Sequence, residues 1–223
     1  YGITMKKVLV SGSRGQLISD LLKQLRLYPE QYEIHSFSRE NFDVTNKTRT
    51  RELFDSINPD IFIQGASYHN VEEIENNIDK AVLTNVASLH TIAKLCEERD
   101  ILLVNFSTNC VFGDQNRYEE NFSTRKHGFT ERLIPKPENV YGILKYTGEK
   151  IIEQYCHDYL NFRVAGLFGV TGSRAKNNTN FPINIINDIA HKKEIKAVND
   201  QYMNVTYTCD AAKTIVDILN SPK

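Results

Sequence analysis

Val8-Leu-Val10 is followed by the turn Ser11-Gly-Ser-Arg-Gly15 and then by Leu17, Ile18, Leu21, Leu22 and Leu25. The apolar triplet reads as a buried strand and the glycines as a tight turn. The three- and four-residue spacing that follows marks one face of a helix. Strand, glycine turn and helix, in that order, open a βαβ unit of the dinucleotide-binding kind.

The rest of the chain continues the alternation. A second strand is expected at Tyr32 to Phe37, and a helix from Lys47 to Ile57 that stops at Asn58-Pro59. Ile61-Phe-Ile63 reads as a third strand. A long helical region between Val71 and Arg99 is expected to line one face with Val82, Val86, Leu89, Ala93 and Cys96. Ile101 to Phe106 is a fourth strand, residues 109–138 a long polar loop, Asn139 to Tyr159 a helix and Asn161 to Ala165 a fifth strand. Strands alternating with helices imply a doubly wound α/β fold, its parallel sheet covered on both faces.

Composition narrows the class. Lys+Arg number 27 against 28 for Asp+Glu, a net charge of −1, so no basic excess suggests nucleic acid as a partner. No apolar run is long enough for a transmembrane helix, and no membrane partner is expected. Cys96, Cys110, Cys156 and Cys209 show neither C-x-x-C nor metal-ligand spacing. They read as reduced thiols of a cytoplasmic protein, with no metal site. Glu72, Glu73 and Glu75 lack His or Cys partners, Glu119-Glu120 reads as a solvated cluster, and His69 as a packing or surface residue.

Gly12 and Gly15 form G-x-x-G, which lets the backbone approach a pyrophosphate at a helix N-terminus. A third glycine would complete the pattern; Ile18 stands there, implying a slightly displaced helix. At the end of the second strand, Ser38 occupies the place of the acid that would bind the ribose of NAD, and Arg39 follows it. With Arg14 in the glycine turn, this favours NADPH, NADH remaining open. Asp43 either accepts from the adenine amino group or caps the following helix.

Tyr141 and Lys145 lie one helical turn apart on one face. A tyrosine ionises near pH ~10, and a neighbouring ammonium lowers that value towards the working range. Thr108 or Ser107, at the end of the fourth strand, is placed to donate to a substrate carbonyl, where open α/β sheets bind ligands.

Together these stretches resemble the extended short-chain dehydrogenase/reductase family, and within it the dTDP-4-dehydrorhamnose reductases. The likeness runs through Val8 to Leu17, Phe42-Asp-Val-Thr45, Asn58-Pro-Asp-Ile61, Ser107-Thr108 with Val111-Phe112, Asn139-Val-Tyr-Gly142 with Lys145, and Val198-Asn-Asp-Gln-Tyr202. The resemblance implies a Rossmann domain over residues 5–165 and a small substrate lobe over 166–223. It also implies reduction of a 4-keto-6-deoxy nucleotide sugar by NAD(P)H, in the assembly of cell-surface polysaccharide. Thr108, Tyr141 and Lys145 would be the catalytic set. Gly12, Gly15, Gln16 and Leu17 would line the pyrophosphate, Asp43 and Val44 would flank adenine, and Ala66 and Tyr68 would lie along the middle of the cofactor. A homodimer stays open as the assembly. Two other readings also stay open: an epimerase or dehydratase on the same scaffold, and a non-catalytic cofactor-binding subunit of the methionine adenosyltransferase-associated type.

The chain departs from the family pattern at Asn109, Cys110 and Gly113-Asp114, at Val164-Ala-Gly166 after Arg163, and at Met203-Asn-Val-Thr206. These positions face the expected sugar or nucleotide, so retained chemistry on a different substrate is the expectation. The chain also stops about where the family still has a final strand and helix, roughly 50 residues short on the usual domain scale, as either truncation or a reduced substrate lobe would give. The insertion around Thr124 to Arg132 has no reading.

Overall fold

A computed structural model describes residues 4–113, 129–172, 179–195 and 204–221. Five parallel strands form the central sheet: β1 (Lys6–Ser11), β2 (Tyr32–Ser36), β3 (Ile61–Gln64), β4 (Leu102–Thr108) and β5 (Tyr159–Val164). They lie in the order β2-β1-β3-β4-β5, so the chain reverses its direction of winding at β1. The doubly wound parallel fold is what the alternation of elements predicts.

Side chains alternate across the sheet with the two-residue period of a strand. Val8, Val10, Ile61, Ile63 and Val104 enter one core with Ile18, Leu21, Leu22 and Leu25 of α1 (Gln16–Leu25). Leu9, Phe62 and Leu103 enter the other, against Leu53 and Phe54 of α2 (Lys47–Ile57). Burial on both faces is why these strands read as unbroken apolar runs.

The helical region expected as one unit between Val71 and Arg99 is broken. α3 (Val71–Asn76) ends at Asn77, whose φ of −145° is not helical. α4 (Ile78–Val82) leads through a π-helical turn, Leu83–Ala87, into α5 (Ser88–Glu98). The wider turn rotates the face that follows it. Leu89, Ala93 and Cys96 join the core under Phe62, while Val82 and Val86 pack with Ile74, Ala81 and Leu144. The expected single stripe is therefore two.

The next helix, α6 (Val140–Tyr155), stops four residues before the expected Tyr159, because Cys156 is extended and Tyr159 already begins β5. Beyond β5, the short strands β6 (Leu167–Phe168) and β7 (Thr206–Tyr207) pair with each other, and α7 (Phe181–Ala190) lies between them in sequence. The last helix, α8 (Thr208–Asn220), returns to the main core: Ala212, Ile215, Val216 and Leu219 pack with α1 and β1. The Tyr32 hydroxyl donates to Asn220 Oδ1 at 2.6 Å. Thus part of the expected 166–223 lobe completes the layer over β1. Among the described residues, no helix is long and apolar enough to cross a membrane, and no cluster of metal-ligating side chains occurs.

Candidate active site

The switch at β1 places the C-terminal ends of β1 and β3 beside a crevice, the usual ligand position in an open α/β sheet. Gly12 leaves β1 with φ +67°, and a Cβ there would lie 2.5 Å from the carbonyl carbon of Gly65. Gly65, directly after β3, is equally tight: its Cβ would meet Ile18 Cγ1 and Ser11 O, both at 2.4 Å. The room that a third glycine on α1 was expected to provide thus comes from Gly65 on the sheet. Ile18 is buried over it, and the displaced helix expected from Ile18 is not required.

No side chain caps α1, whose first residue follows Gly15. Gln16 is buried with both amide atoms unpartnered, and the buried Ser38 hydroxyl beyond β2 has no partner either. Orphaned buried polar groups are rare and call for a ligand or water. An uncapped helix end, a backbone cradle at Gly12 and these two polar side chains fit a dinucleotide.

The charges beside this cradle are arranged differently from the expectation. Arg14 pairs with Glu40 at 3.3 Å, both exposed, and the exposed Arg39 with the half-buried Asp43 at 3.5 Å. Asp43 Oδ1 accepts from Thr45 N at 2.9 Å and from Thr45 Oγ1 at 2.7 Å. Burial works to raise its pKa, but the Thr45 bonds and Arg39 outweigh this and hold the carboxyl below its ordinary value. Asp43 does not cap α2; Asn46 does, accepting from Arg49 N at 3.0 Å. The side chains of Val44 and Leu17 are buried, Val44 in the core with Phe42, so the adenine contact expected of Val44 is not one its side chain makes.

Past Gly65, Ala66 N donates to Ser11 Oγ at 3.3 Å and Ala66 O accepts from Gln64 Nε2 at 2.9 Å. Tyr68 is fixed by a residue that sequence reading passed over. Asn85, buried in the π turn, accepts from Tyr68 N at 2.9 Å and from Ser67 Oγ at 3.1 Å, and donates to Tyr68 O at 2.7 Å. The interrupted helix aims this amide at the loop after β3. A polar residue inside an apolar helical stripe is the only signal that could have singled it out.

The second group of residues gathers at the end of β4. Asn139 caps α6 by accepting from Gly142 N at 2.7 Å. A Cβ on Gly142 would lie 2.5 Å from Cys110 O, so glycine there lets the start of α6 close on the 3-10 turn Asn109–Val111. This brings Tyr141 to Thr108. The Thr108 hydroxyl accepts from Cys110 N at 3.2 Å. Tyr141 is pushed up to about 12, by burial and then by Cys110, while hydrogen bonding with Thr108 pulls the other way.

The expectation that Lys145 lowers the tyrosine is not met in this arrangement. Lys145 is buried and its ammonium donates to Phe106 O at 2.5 Å, on β4. Burial brings Lys145 down to about 8, against the opposing effect of Glu149. Ser107, an alternative to Thr108 for holding a carbonyl, is excluded from that role: its hydroxyl donates to the Glu149 carboxylate. Of the positions that depart from the family pattern, Asn109 and Cys110 lie beside Tyr141. Asp114, Met203, Glu119-Glu120, Val198 to Tyr202 and most of the Thr124 to Arg132 insertion fall outside the described residues.

The chain is similar to known proteins over nearly its whole length. Residues 5–223 match the model of the RmlD substrate binding domain family. The spore coat polysaccharide biosynthesis protein SpsK of Bacillus subtilis is 28% identical over 218 residues, which cover 98% of this chain and 71% of that protein. A dTDP-4-dehydrorhamnose reductase of Escherichia coli is 28% identical over 200 residues, 87% of this chain and 60% of the relative. Among solved structures, the dTDP-4-dehydrorhamnose reductase of Bacillus anthracis in complex with NADP superposes with a TM-score of 0.85 at 29% identity. It covers 98% of this chain and 72% of its own. A chain matched over nearly its whole length, with the cradle at Gly12 and Gly65 and the Tyr141 group in place, belongs to the RmlD substrate binding domain family.

Proposed function

We propose that the protein reduces the 4-keto group of a 4-keto-6-deoxy nucleotide sugar with NADPH, in deoxysugar assembly for a surface polysaccharide. The observation that carries this reading is the meeting of Thr108 and Tyr141 at the end of β4, with Lys145 one turn further along α6. NADPH supplies the hydride. Tyr141 holds its proton at neutral pH and delivers it to the C4 oxygen as the carbonyl is reduced. Thr108 orients that oxygen, and Lys145, one helical turn away with its ammonium on Phe106 O, keeps a positive charge at this end of β4 as the carbonyl is reduced. The catalytic set is Thr108, Tyr141 and Lys145. The cofactor set is Gly12, Gly15 and Gln16 at the pyrophosphate, with Ser38 and Arg39 towards the adenosine phosphate. Asn109 and Cys110 beside this set support a sugar different from the usual one. We place the protein in the cytoplasm, where its thiols stay reduced.

The test is oxidation of NADPH in the presence of a panel of dTDP- and UDP-linked 4-keto-6-deoxy sugars. One mole of NADPH consumed per mole of keto sugar supports the reading. Cofactor binding with no turnover across the panel overturns it in favour of a binding subunit.

Two further results are expected. kcat/KM, which reports the free enzyme, falls as pH rises through about 8, where Lys145 loses its proton. A profile flat up to the ordinary lysine value of 10.5 would remove Lys145 from this role. For the cofactor, Arg39→Ala weakens NADPH by about tenfold, the order of one charge-assisted contact to phosphate. NADH is weakened far less, and titration of the reduced nicotinamide fluorescence compares the two. Equal losses would leave Arg39 as a partner of Asp43 only.

A further inference from the structure

Glu149 is the third member of a stripe on α6, four residues beyond Lys145, which is itself four beyond Tyr141. It is buried, and the hydrogen bonds of its carboxylate run to β4 and β5. Arg163 on β5 grips it with two bonds, Nε to Oε1 at 3.0 Å and Nη2 to Oε2 at 2.6 Å. Ser107 on β4 donates to Oε1 as well. Ser107 and Arg163 are register partners across β4 and β5. Ser107 lies between Phe106, whose carbonyl takes the Lys145 ammonium, and Thr108.

We propose that Glu149 is a positioning residue for the reduction. Clamped by Ser107 and Arg163, it seats α6 on the ends of β4 and β5 and supplies the negative charge that holds Lys145 as a buried ammonium. The proposal rests on the reductase reading above and names a residue that acts through Lys145. A buried ion pair is weak support for stability in itself, because desolvation offsets the attraction. What this one does is register a helix against two strands at the catalytic end.

Among the described residues, Glu149 is the charged group that acts on Lys145, and Lys150 is a further cation that Glu149 acts on. On α6, Glu149 acts on it directly and favours its charged form. Arg163 faces Glu149 from β5, and Tyr146 and Glu131 act on Arg163. From the turn after β4, Cys110 acts on Tyr141.

The experiment follows the titration of Lys145 in the cofactor-free protein by NMR of labelled lysine side chains, with Lys145→Arg identifying the signal. Glu149→Gln keeps the shape and removes the charge. It is expected to lower the Lys145 midpoint by about one pH unit, a tenfold change in its protonation equilibrium. In turnover, the alkaline limb of kcat/KM moves down by the same amount, so that kcat/KM falls by about twofold at pH 7 and by about tenfold well above pH 8, with KM for the sugar changed by less than about twofold. If Glu149→Gln does not fold, Glu149→Leu combined with Arg163→Met replaces the whole buried pair by apolar groups of similar volume, a change proteins often tolerate. The Lys145 midpoint is expected to fall there too. A midpoint unmoved in a folded variant, with only thermal stability altered, would reduce Glu149 to a structural strut and overturn the proposal. Absence of turnover in the wild type would instead count against the reductase reading, and leaves the NMR titration able to decide the role of Glu149.

Discussion

Tyr141→Phe is expected to lower kcat by about 10²- to 10⁴-fold, the usual contribution of a positioned general acid. The variant removes one oxygen from a partly buried ring and leaves Lys145 on Phe106 O, the cap at Asn139 and the cradle at Gly12 untouched. NADPH affinity therefore changes little, and the loss appears in kcat and kcat/KM alike, as for an interaction made only in the transition state. Stopped-flow absorbance of the reduced nicotinamide separates hydride transfer from release. A variant within about threefold of the wild type, well short of the acid's usual contribution, would assign the proton to another group.

Gly12→Val is expected to abolish NADPH binding and to destabilise the fold by several kcal/mol. A left-handed backbone costs an L-residue about 1–2 kcal/mol, and Gly12 has φ +67°. The added Cβ would also lie 2.5–2.6 Å from the C, O and N atoms of the Gly65–Ala66 peptide. Backbone cannot swing aside as a flexible side chain does, so β1 and β3 must part or the turn into α1 must rise. Either movement displaces the uncapped end of α1 and the Gln16 amide. Gly15→Ala is the control. Gly15 caps α1 in an extended conformation at φ −66°, and its nearest neighbour would be Gly12 O at 3.2 Å. Its effect is expected to stay within about 1 kcal/mol, on the scale of a change at a capping position. Urea unfolding and fluorescence titration of NADPH measure both variants, and equal losses would contradict the close approach at Gly12.

The two glycines show how the sequence and the folded chain divide the information. In G-x-x-G they are equivalent marks of a turn. Only the pairing of β1 with β3 leaves Gly12 no room for a Cβ, while at Gly15 the nearest neighbour would lie at 3.2 Å. The same pairing explains Ile18, which as a sequence feature implies a displaced helix and in the fold simply rests on Gly65. Lys145 is a further case. Four-residue spacing placed it on the face of Tyr141, as the helix requires, but spacing carries no information on where a long flexible side chain ends. Tertiary packing sends its ammonium to Phe106 O, where Glu149 favours its charged form.

What the sequence determined by itself is therefore the part set by local periodicity. It specifies strands that bury both faces, helices with one apolar stripe, the turn after β1, and a tyrosine and lysine on one side of α6. These depend on residues within a turn or two of each other, so they are legible in order along the chain. Assembly of the sheet settles which glycine lacks room for a Cβ, that Asn85 reaches the Tyr68 loop, that Ser107 donates to Glu149, and that α8 closes the core beside β1. Each of these depends on segments that are distant in sequence and meet only when the sheet is assembled, and no local pattern records such a meeting.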